Sequence, residues 1–441
     1  MFFLEIVESF RDGWIVPSLS CSLVETAGAR CGWCGNFMFR WRASVRFSGL
    51  IFHSFLMIST AIRMHSLRLG RTPELHRKVA RLLAKAEIRI HGDCPWDLQL
   101  KVPGVLERIV ARGNLGLGES YMDGDWDVPQ LDEFFTRILR AKLQREIKPM
   151  SFLVPMLRER LFNRQTSKRA WQVGVTHYDL GNDFYQAMLG PSMAYTCGYW
   201  REAGSLCEAQ QAKFDLICRK LQLAPGMRLL DIGCGWGGLM AYAAKNYGVS
   251  CVGITISKEQ AEFARNTYSG LPLEFRLQDY REVKGRFDRV VSVGMFEHVG
   301  KKNYRVFMEV AQRCLVRYGI FLLHTIGKNE RCGTTDPWID QYIFPNGELP
   351  AIGHICDAAD GLFVVEDLHN FGADYDRTLM AWYENFEAAW PRFAESMGER
   401  FHRQWRYYLL SCAGAFRARD LQLWQWTFSN GGIPGGCERV S

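Results

Sequence analysis

The sequence predicts an α/β protein: a doubly wound parallel sheet with helices on both faces, preceded by a small α+β domain. Three observations carry this. Strand-like and helix-like segments alternate from Leu206 to Thr325, the pattern of a parallel sheet with crossover helices. The run Leu229-Leu230-Asp231-Ile232-Gly233-Cys234-Gly235-Trp236-Gly237-Gly238 takes an apolar strand through a glycine-rich turn into a helix. Such a turn lets backbone approach a ligand that a Cβ would block, at a helix N-terminus with free N–H groups. A hydrophobic content of 48% with 13% aromatics is enough for large cores, which excludes a disordered chain.

Residues 1–71 read as an N-terminal extension of unknown role. Within it, Phe47 to Ile62 is uncharged and mostly apolar, flanked by Arg46 and Arg63. It is shorter than the about 20 residues a spanning helix needs and too far from the start for a signal peptide. A membrane-resting segment, an extra buried helix and a translated leader upstream of Met57 or Met64 all stay open. Residues 72–157 read as the small domain. Pro73 to Ala86 has helical spacing of Leu75, Val79, Leu82 and Leu83, while Ile88 to Ile90 and Leu98 to Val102 alternate like short strands. Gly116 to Tyr121 reads as a tight polar-glycine passage, and Leu131 to Leu143 as helix. Residues 158–175 form a basic linker, and 176–441 the larger domain. Its predicted strands are Arg228 to Ile232, Ser250 to Ile254, Leu273 to Gln278, Phe287 to Val293 and Gly319 to Thr325. Its predicted helices are Leu206 to Leu221, Leu239 to Tyr247, Lys258 to Thr267 and Tyr304 to Leu315.

The net charge of +7 is concentrated. Between Thr136 and Ala170 stand ten bases, among them Arg137, Arg140, Lys142, Arg158 and Arg160, against only Glu146 and Glu159. Taken alone, this stretch is either a solvated helical face or a surface for anionic lipid or nucleic acid. The 14 cysteines are scattered. Cys31 and Cys34 have no second pair at zinc spacing, so the chain reads as reduced and cytosolic with no metal site.

In a doubly wound sheet, ligands bind beyond the strand C-termini. The first such position favours S-adenosylmethionine over a dinucleotide, because Asp231 ends the strand and the spacing is G-x-G-x-G-G, built on Gly233 and Gly235. After the second strand, Thr255 and Gln260 stand where many nucleotide folds put an acid for ribose hydroxyls. After the third, Asp279 can accept from an exocyclic amine and Tyr280 can cover adenine. Glu297 and His298 follow the fourth strand, and His324 ends the fifth. Clusters at adjacent strand ends are harder to dismiss than one histidine. Upstream, Tyr195-Thr196-Cys197-Gly198-Tyr199-Trp200 is dense in aromatics, fit either for a core lid or for a pocket holding a cation.

These motifs resemble those of the cyclopropane-fatty-acyl-phospholipid synthase family, relatives of the mycolic acid cyclopropane synthases. The resemblance covers about Arg77 to Arg439. It rests on Gly116-Leu117-Gly118-Glu119-Ser120-Tyr121-Met122-Asp123-Gly124, His177-Tyr178-Asp179-Leu180-Gly181-Asn182-Asp183, the glycine loop, Met295-Phe296-Glu297-His298-Val299-Gly300, Asn370-Phe371-Gly372-Ala373-Asp374-Tyr375 and Cys412-Ala413-Gly414-Ala415-Phe416-Arg417. It implies a Rossmann-like S-adenosylmethionine-dependent methyltransferase with a small N-terminal α+β lipid-binding domain. The implied reaction adds a methylene from S-adenosylmethionine across the cis double bond of a phospholipid acyl chain, with bound bicarbonate as base. The implied bicarbonate cage is Cys197, Glu297, His324, Tyr375 and the backbone at Ile326. The implied donor site is Tyr195, Thr196, Asp231, Gly233, Gly235, Thr255, Gln260, Asp279 and Tyr280, with Tyr280 where mycolic acid enzymes have Trp. The implied partner is unsaturated phospholipid in an anionic membrane, not nucleic acid. Peripheral attachment to the inner face of the cytoplasmic membrane follows, and homodimers are common in the family. A lipid C-methyltransferase giving a branched or alkenyl product would share almost every motif.

Overall fold

The computed structural model describes residues 73–143, 180–331 and 335–440. The extension, the linker, most of the basic stretch and the His177-Tyr178-Asp179 half of one motif lie outside the described residues. The N-terminal part holds α1 (Pro73–Ala84), β1 (Gln99–Leu100), α2 (Val105–Met122), β2 (Trp126–Asp127) and α3 (Leu131–Arg140). The strands form one short antiparallel pair. The expected Ile88 to Ile90 strand reduces to a single bridge between Ile90 and Leu98.

Gly116 to Tyr121 is not a turn. It lies inside α2, whose helical path breaks earlier, at Gly113 (φ 58°). The glycines here serve close packing instead. A Cβ on Gly116 would meet the Arg108 carbonyl 2.6 Å away, and one on Gly118 would run into the indole of Trp338.

The larger part continues with α4 (Asn182–Leu189), α5 (Leu206–Lys220), β3 (Arg228–Ile232), α6 (Gly238–Tyr247), β4 (Ser250–Thr255), α7 (Lys258–Thr267), β5 (Leu273–Leu277) and β6 (Phe287–Val293). After these come α8 (Tyr304–Cys314), β7 (Leu315–Lys328), α9 (Pro337–Tyr342), α10 (Ile352–Ala359), β8 (Val364–Asn370), α11 (Ala373–Ala389), α12 (Ala394–Arg417) and β9 (Leu421–Ser429). Local chemistry sets several boundaries. Ser205 caps α5 by accepting from the Glu208 N–H at 3.3 Å, and Ser257 caps α7 by accepting from the Gln260 N–H at 3.3 Å.

Among the described residues the large sheet has seven strands in the order β5-β4-β3-β6-β7-β9-β8. The five expected strands pair in parallel, but the sheet is mixed, because β9 runs antiparallel between β7 and β8. Both added strands escape periodicity reading. Strand β9, Leu-Gln-Leu-Trp-Gln-Trp-Thr-Phe-Ser, is buried at all but its first position, so it has no wet face to give a clean alternation.

The N-terminal part does not fold around a core of its own. Tyr121, Trp126 and Phe134 share one buried cluster with Trp338, Trp405 and Tyr407. Arg417 on α12 ties the parts together, donating to Asp132 at 2.6 Å and to both Asp376 oxygens at 2.8 and 2.9 Å.

Candidate active site

The first strand end positions the glycine loop. Gly233 takes φ 88°, where an L side chain is strained, and a Cβ there would sit 2.7 Å from Met295. Just before it, Asp231 is buried and its Oδ1 has no hydrogen-bond partner. Burial pushes this carboxyl up to about 7, against the nearby charge of Lys213. Thr255 and Gln260 are both buried and joined, the Thr255 hydroxyl donating to Gln260 Oε1 at 2.9 Å while accepting from the Ser257 N–H at 3.1 Å. Asp279 caps the turn Tyr280–Glu282 and accepts from the Arg281 backbone N–H at 2.9 Å and its guanidinium at 2.8 Å. The Tyr280 ring is buried, with the Phe307 ring 5.3 Å away and the Arg281 guanidinium 4.8 Å from its centre.

Candidate reaction residues Glu297 and His324 lie at the ends of β6 and β7. Glu297 lies on the 3₁₀ turn Phe296–His298, and its Oε1 accepts from the Ile326 backbone N–H at 2.7 Å. The neighbouring Thr325 hydroxyl donates to the Ile326 carbonyl, and Glu297 Oε2 is buried without a hydrogen bond. Burial raises this carboxyl to about 7 despite the Ile326 N–H. His324 is buried on β7. Its Nδ1 is 3.2 Å from the Gln425 amide of β9, and its Nε2 has no partner. Burial and the charges of Lys213 and Lys220 hold the imidazole well below its usual range, hence neutral.

Tyr375, in the first turn of α11, packs its ring 4.5 Å from that of Phe416. Burial raises its phenol, and the nearby Cys197 and Glu297 add to the rise, which places these three groups in one electrostatic neighbourhood. Cys197 is wholly buried, its Sγ 3.1 Å from the Gly198 carbonyl, and burial keeps the thiol protonated. That state fits a hydrogen-bond donor and not a nucleophile. Tyr195 donates from its hydroxyl to that of Tyr408 at 2.9 Å, with its ring 5.2 Å from Trp382.

A cavity of about 1850 Å³ joins these residues. All nine donor-site candidates line it, as do Glu297, Ile326 and Tyr375. Cys197 and His324 do not; they are buried outside its wall. The lining also includes apolar side chains, Leu117, Phe135, Ile138 and Leu139 from the N-terminal part and Leu379 and Phe416 from the larger part. Exposed bases, Arg140, Lys142, Lys301 and Arg419, are also among the lining residues.

Sequence reasoning missed two buried polar groups. Lys213 lies in α5 at 1% exposure and lines the cavity, donating to the Thr196 hydroxyl at 2.8 Å and to Gln210 Oε1 at 2.6 Å. Its signal was present: it occupies the apolar stripe of Ala209, Leu216 and Ile217, where an aliphatic residue is due. Gln425, behind His324, carried no readable signal, because β9 itself was not recognised.

A family model described as mycolic acid cyclopropane synthetase matches residues 165–426. The chain belongs to that family. The cyclopropane-fatty-acyl-phospholipid synthase of Escherichia coli (strain K12) is 55% identical over 358 residues, covering 81% of this chain and 94% of its own. A probable fatty acid methyltransferase of Pseudomonas putida is 39% identical over 336 residues, covering 70% and 84%. The solved mycolic acid cyclopropane synthase CmaA1 complexed with SAH and CTAB is 34% identical at a TM-score of 0.56, covering 59% of this chain and 98% of its own. The cyclopropane synthase MmaA2 from Mycobacterium tuberculosis matches similarly, at 33% identity and a TM-score of 0.56 over 59% and 98%. The protein is an enzyme, an S-adenosylmethionine-dependent methyltransferase with the expected Rossmann-like fold.

Proposed function

We propose that this enzyme transfers a methylene from S-adenosylmethionine across the cis double bond of an unsaturated acyl chain in membrane phospholipid, forming a cyclopropane, with bicarbonate as base. The observation that carries this reading is the junction inside the cavity. Glu297, with one oxygen tied to the Ile326 N–H and the other buried without a hydrogen bond, lines one and the same cavity as the polar donor-site candidates and the apolar side chains Phe135, Ile138, Leu379 and Phe416.

The chemistry requires that junction. The alkene π electrons attack the methyl carbon as its bond to sulfur breaks, leaving S-adenosylhomocysteine and a carbocation on the chain. Loss of a proton from the new methyl group then lets its carbon close the ring. An isolated alkene is a weak nucleophile, so alignment and exclusion of water matter most. The apolar part of the lining, with Phe135, Ile138, Leu379 and Phe416, holds the acyl chain and keeps water out. The Tyr195 ring at the donor end offers a π face to positive charge.

The residues present fit a small oxyanion. Glu297 Oε2 and His324 Nε2 are buried polar atoms without partners, and such atoms are costly unless a ligand satisfies them. Glu297, His324, Tyr375, Cys197 and the backbone at Ile326 would hold bicarbonate. When bound, bicarbonate supplies the acceptor for the methyl proton. The neutral His324 and the un-ionised Tyr375 phenol can each donate a hydrogen bond, a protonated Glu297 can donate a third, and the Cys197 thiol can donate only by leaving the Gly198 carbonyl. Bicarbonate-depleted buffer is therefore expected to lower turnover, with full recovery when bicarbonate is restored. Turnover unaffected by depletion would transfer the base role to Glu297 itself.

No helix among the described residues is long and apolar enough to cross a membrane. In this reading the bilayer meets the protein at a surface supplied by the basic stretch and the exposed bases that line the cavity, each base near an anionic surface contributing about 1 kcal/mol. Raising ionic strength from about 0.1 M to 1 M shortens the screening length from about 10 Å to about 3 Å. Binding to anionic vesicles, read by co-sedimentation, is expected to weaken sharply while donor affinity holds. Salt-independent vesicle binding would contradict the docking assignment.

A further inference from the structure

One buried polar residue beside His324 takes no part in the chemistry above. Gln425 stands on β9 at 0% exposure, and burying an amide is costly unless it is hydrogen-bonded. Its nitrogen is 3.2 Å from His324 Nδ1, and its Oε1 has no partner among the described residues. It does not line the cavity. Strand β9 runs between β7 and β8, and Gln425 is the register partner of His324 on one side and of His369 on the other. The three side chains therefore stand in one row on one face of the sheet. Phe371 packs its ring against both imidazoles, 5.8 Å from that of His324 and 5.1 Å from that of His369. At the far end of the row, His369 Nδ1 is 3.0 Å from the buried Lys220 Nζ.

An amide nitrogen can donate but not accept. The Nδ1 it touches is therefore the bare nitrogen, and a neutral imidazole then carries its proton on Nε2. Nε2 is the ring atom left buried without a partner. We propose that Gln425 is a positioning residue for the reaction: its amide N–H, donated to Nδ1, holds His324 in the Nε2–H tautomer, so that the ring offers a proton and not a lone pair to an oxyanion. The inference rests on the reading above that His324 serves the reaction cluster. Without the amide, nothing in the row prevents the proton from moving to Nδ1. A bare Nε2 would then face the oxyanion lone pair to lone pair, and the hydrogen bond would be lost. Since Gln425 lies outside the cavity lining, any effect of its removal on turnover must pass through another residue.

Nitrogen-15 NMR of the full chain, labelled at histidine, reads the tautomer directly, with the His324 signals assigned by their loss in His324→Gln. The wild type is expected to show the Nε2–H pattern. Gln425→Met is similar in length and removes the donor. Its two His324 nitrogens should move toward the averaged shifts of exchanging tautomers. Its turnover should fall by roughly 10-fold, the scale of one lost hydrogen bond, with S-adenosylmethionine affinity unchanged. An Nδ1–H pattern in the wild-type protein would overturn the proposal, and that measurement needs no Gln425 variant to fold. So would full turnover in Gln425→Met with the tautomer preference gone. A fall in turnover with the His324 signals unmoved would make Gln425 a merely structural residue and overturn it equally. Undiminished turnover in His324→Gln would instead contradict the placement of His324 in the reaction cluster.

Discussion

Replacing Glu297 by Gln is expected to cut turnover by about 10²-fold or more while leaving S-adenosylmethionine affinity nearly unchanged, the scale of loss when a group in the proton-transfer machinery is removed. The substitution preserves shape. One amide position can still accept from the Ile326 N–H, so the turn Phe296–His298 keeps its anchor. What changes is the free oxygen. Oε2 is buried and unpartnered in a carboxyl poised near 7, and it can accept or donate according to need. An amide in its place is fixed as a donor or an acceptor by whichever way it is turned. Single-turnover product formation and donor binding, measured on the same preparation, separate the two effects. Loss of donor affinity in proportion to turnover would move Glu297 out of the reaction cluster and into the donor site.

The Gly118→Val substitution is expected to destabilise the protein by about 3 kcal/mol or more, the upper range for forcing added bulk into a close-packed core. Gly118 lies on α2 directly against the indole of Trp338, with no room for a Cβ. Trp338 cannot give way. It is 1% exposed, its ring lies 4.5 Å from that of Tyr407, and its indole N–H points at Met122 Sδ 3.2 Å away. This contact joins the N-terminal part to the catalytic part, so the damage should reach both. Denaturant melts should show a lower midpoint, and activity at low temperature should fall because Leu117, the preceding residue, lines the cavity. A midpoint within about 0.5 kcal/mol of wild type, the range of ordinary surface changes, would mean that α2 and α9 are not packed this way.

The same residue shows why part of the fold was legible in sequence and part was not. Gly116 and Gly118 signal a backbone under constraint, but a turn and a close helix contact demand glycine equally, and only the distant Trp338 decides between them. The parallel strands were readable because short apolar runs alternate with capped helices; Ser205 and Ser257 stand at the helix starts where the pattern puts them. The strand-end rule then singled out Asp231, Thr255, Asp279 and Glu297 as candidates, and all four line one cavity. It could not place Tyr375, which comes from the first turn of α11, or Cys197, which precedes the sheet altogether; both came from resemblance to a family. Lys213 was overlooked because a lysine inside a helix is ordinarily solvated, and only its depth reveals a partner-seeking charge. The shared core of α2, α3 and α12 was invisible for a related reason: it pairs residues such as Asp132 and Arg417 that are far apart in the chain.

The most direct test of the central claim is the product itself. Unsaturated phospholipid vesicles incubated with the enzyme, S-adenosylmethionine and bicarbonate would be extracted and read by mass spectrometry and proton NMR. The account predicts a gain of one methylene per reacted chain, loss of the alkene proton signals and appearance of upfield ring protons. A methyl branch or an alkenyl product, with alkene or methyl signals in place of ring protons, would contradict it and identify a lipid C-methyltransferase instead.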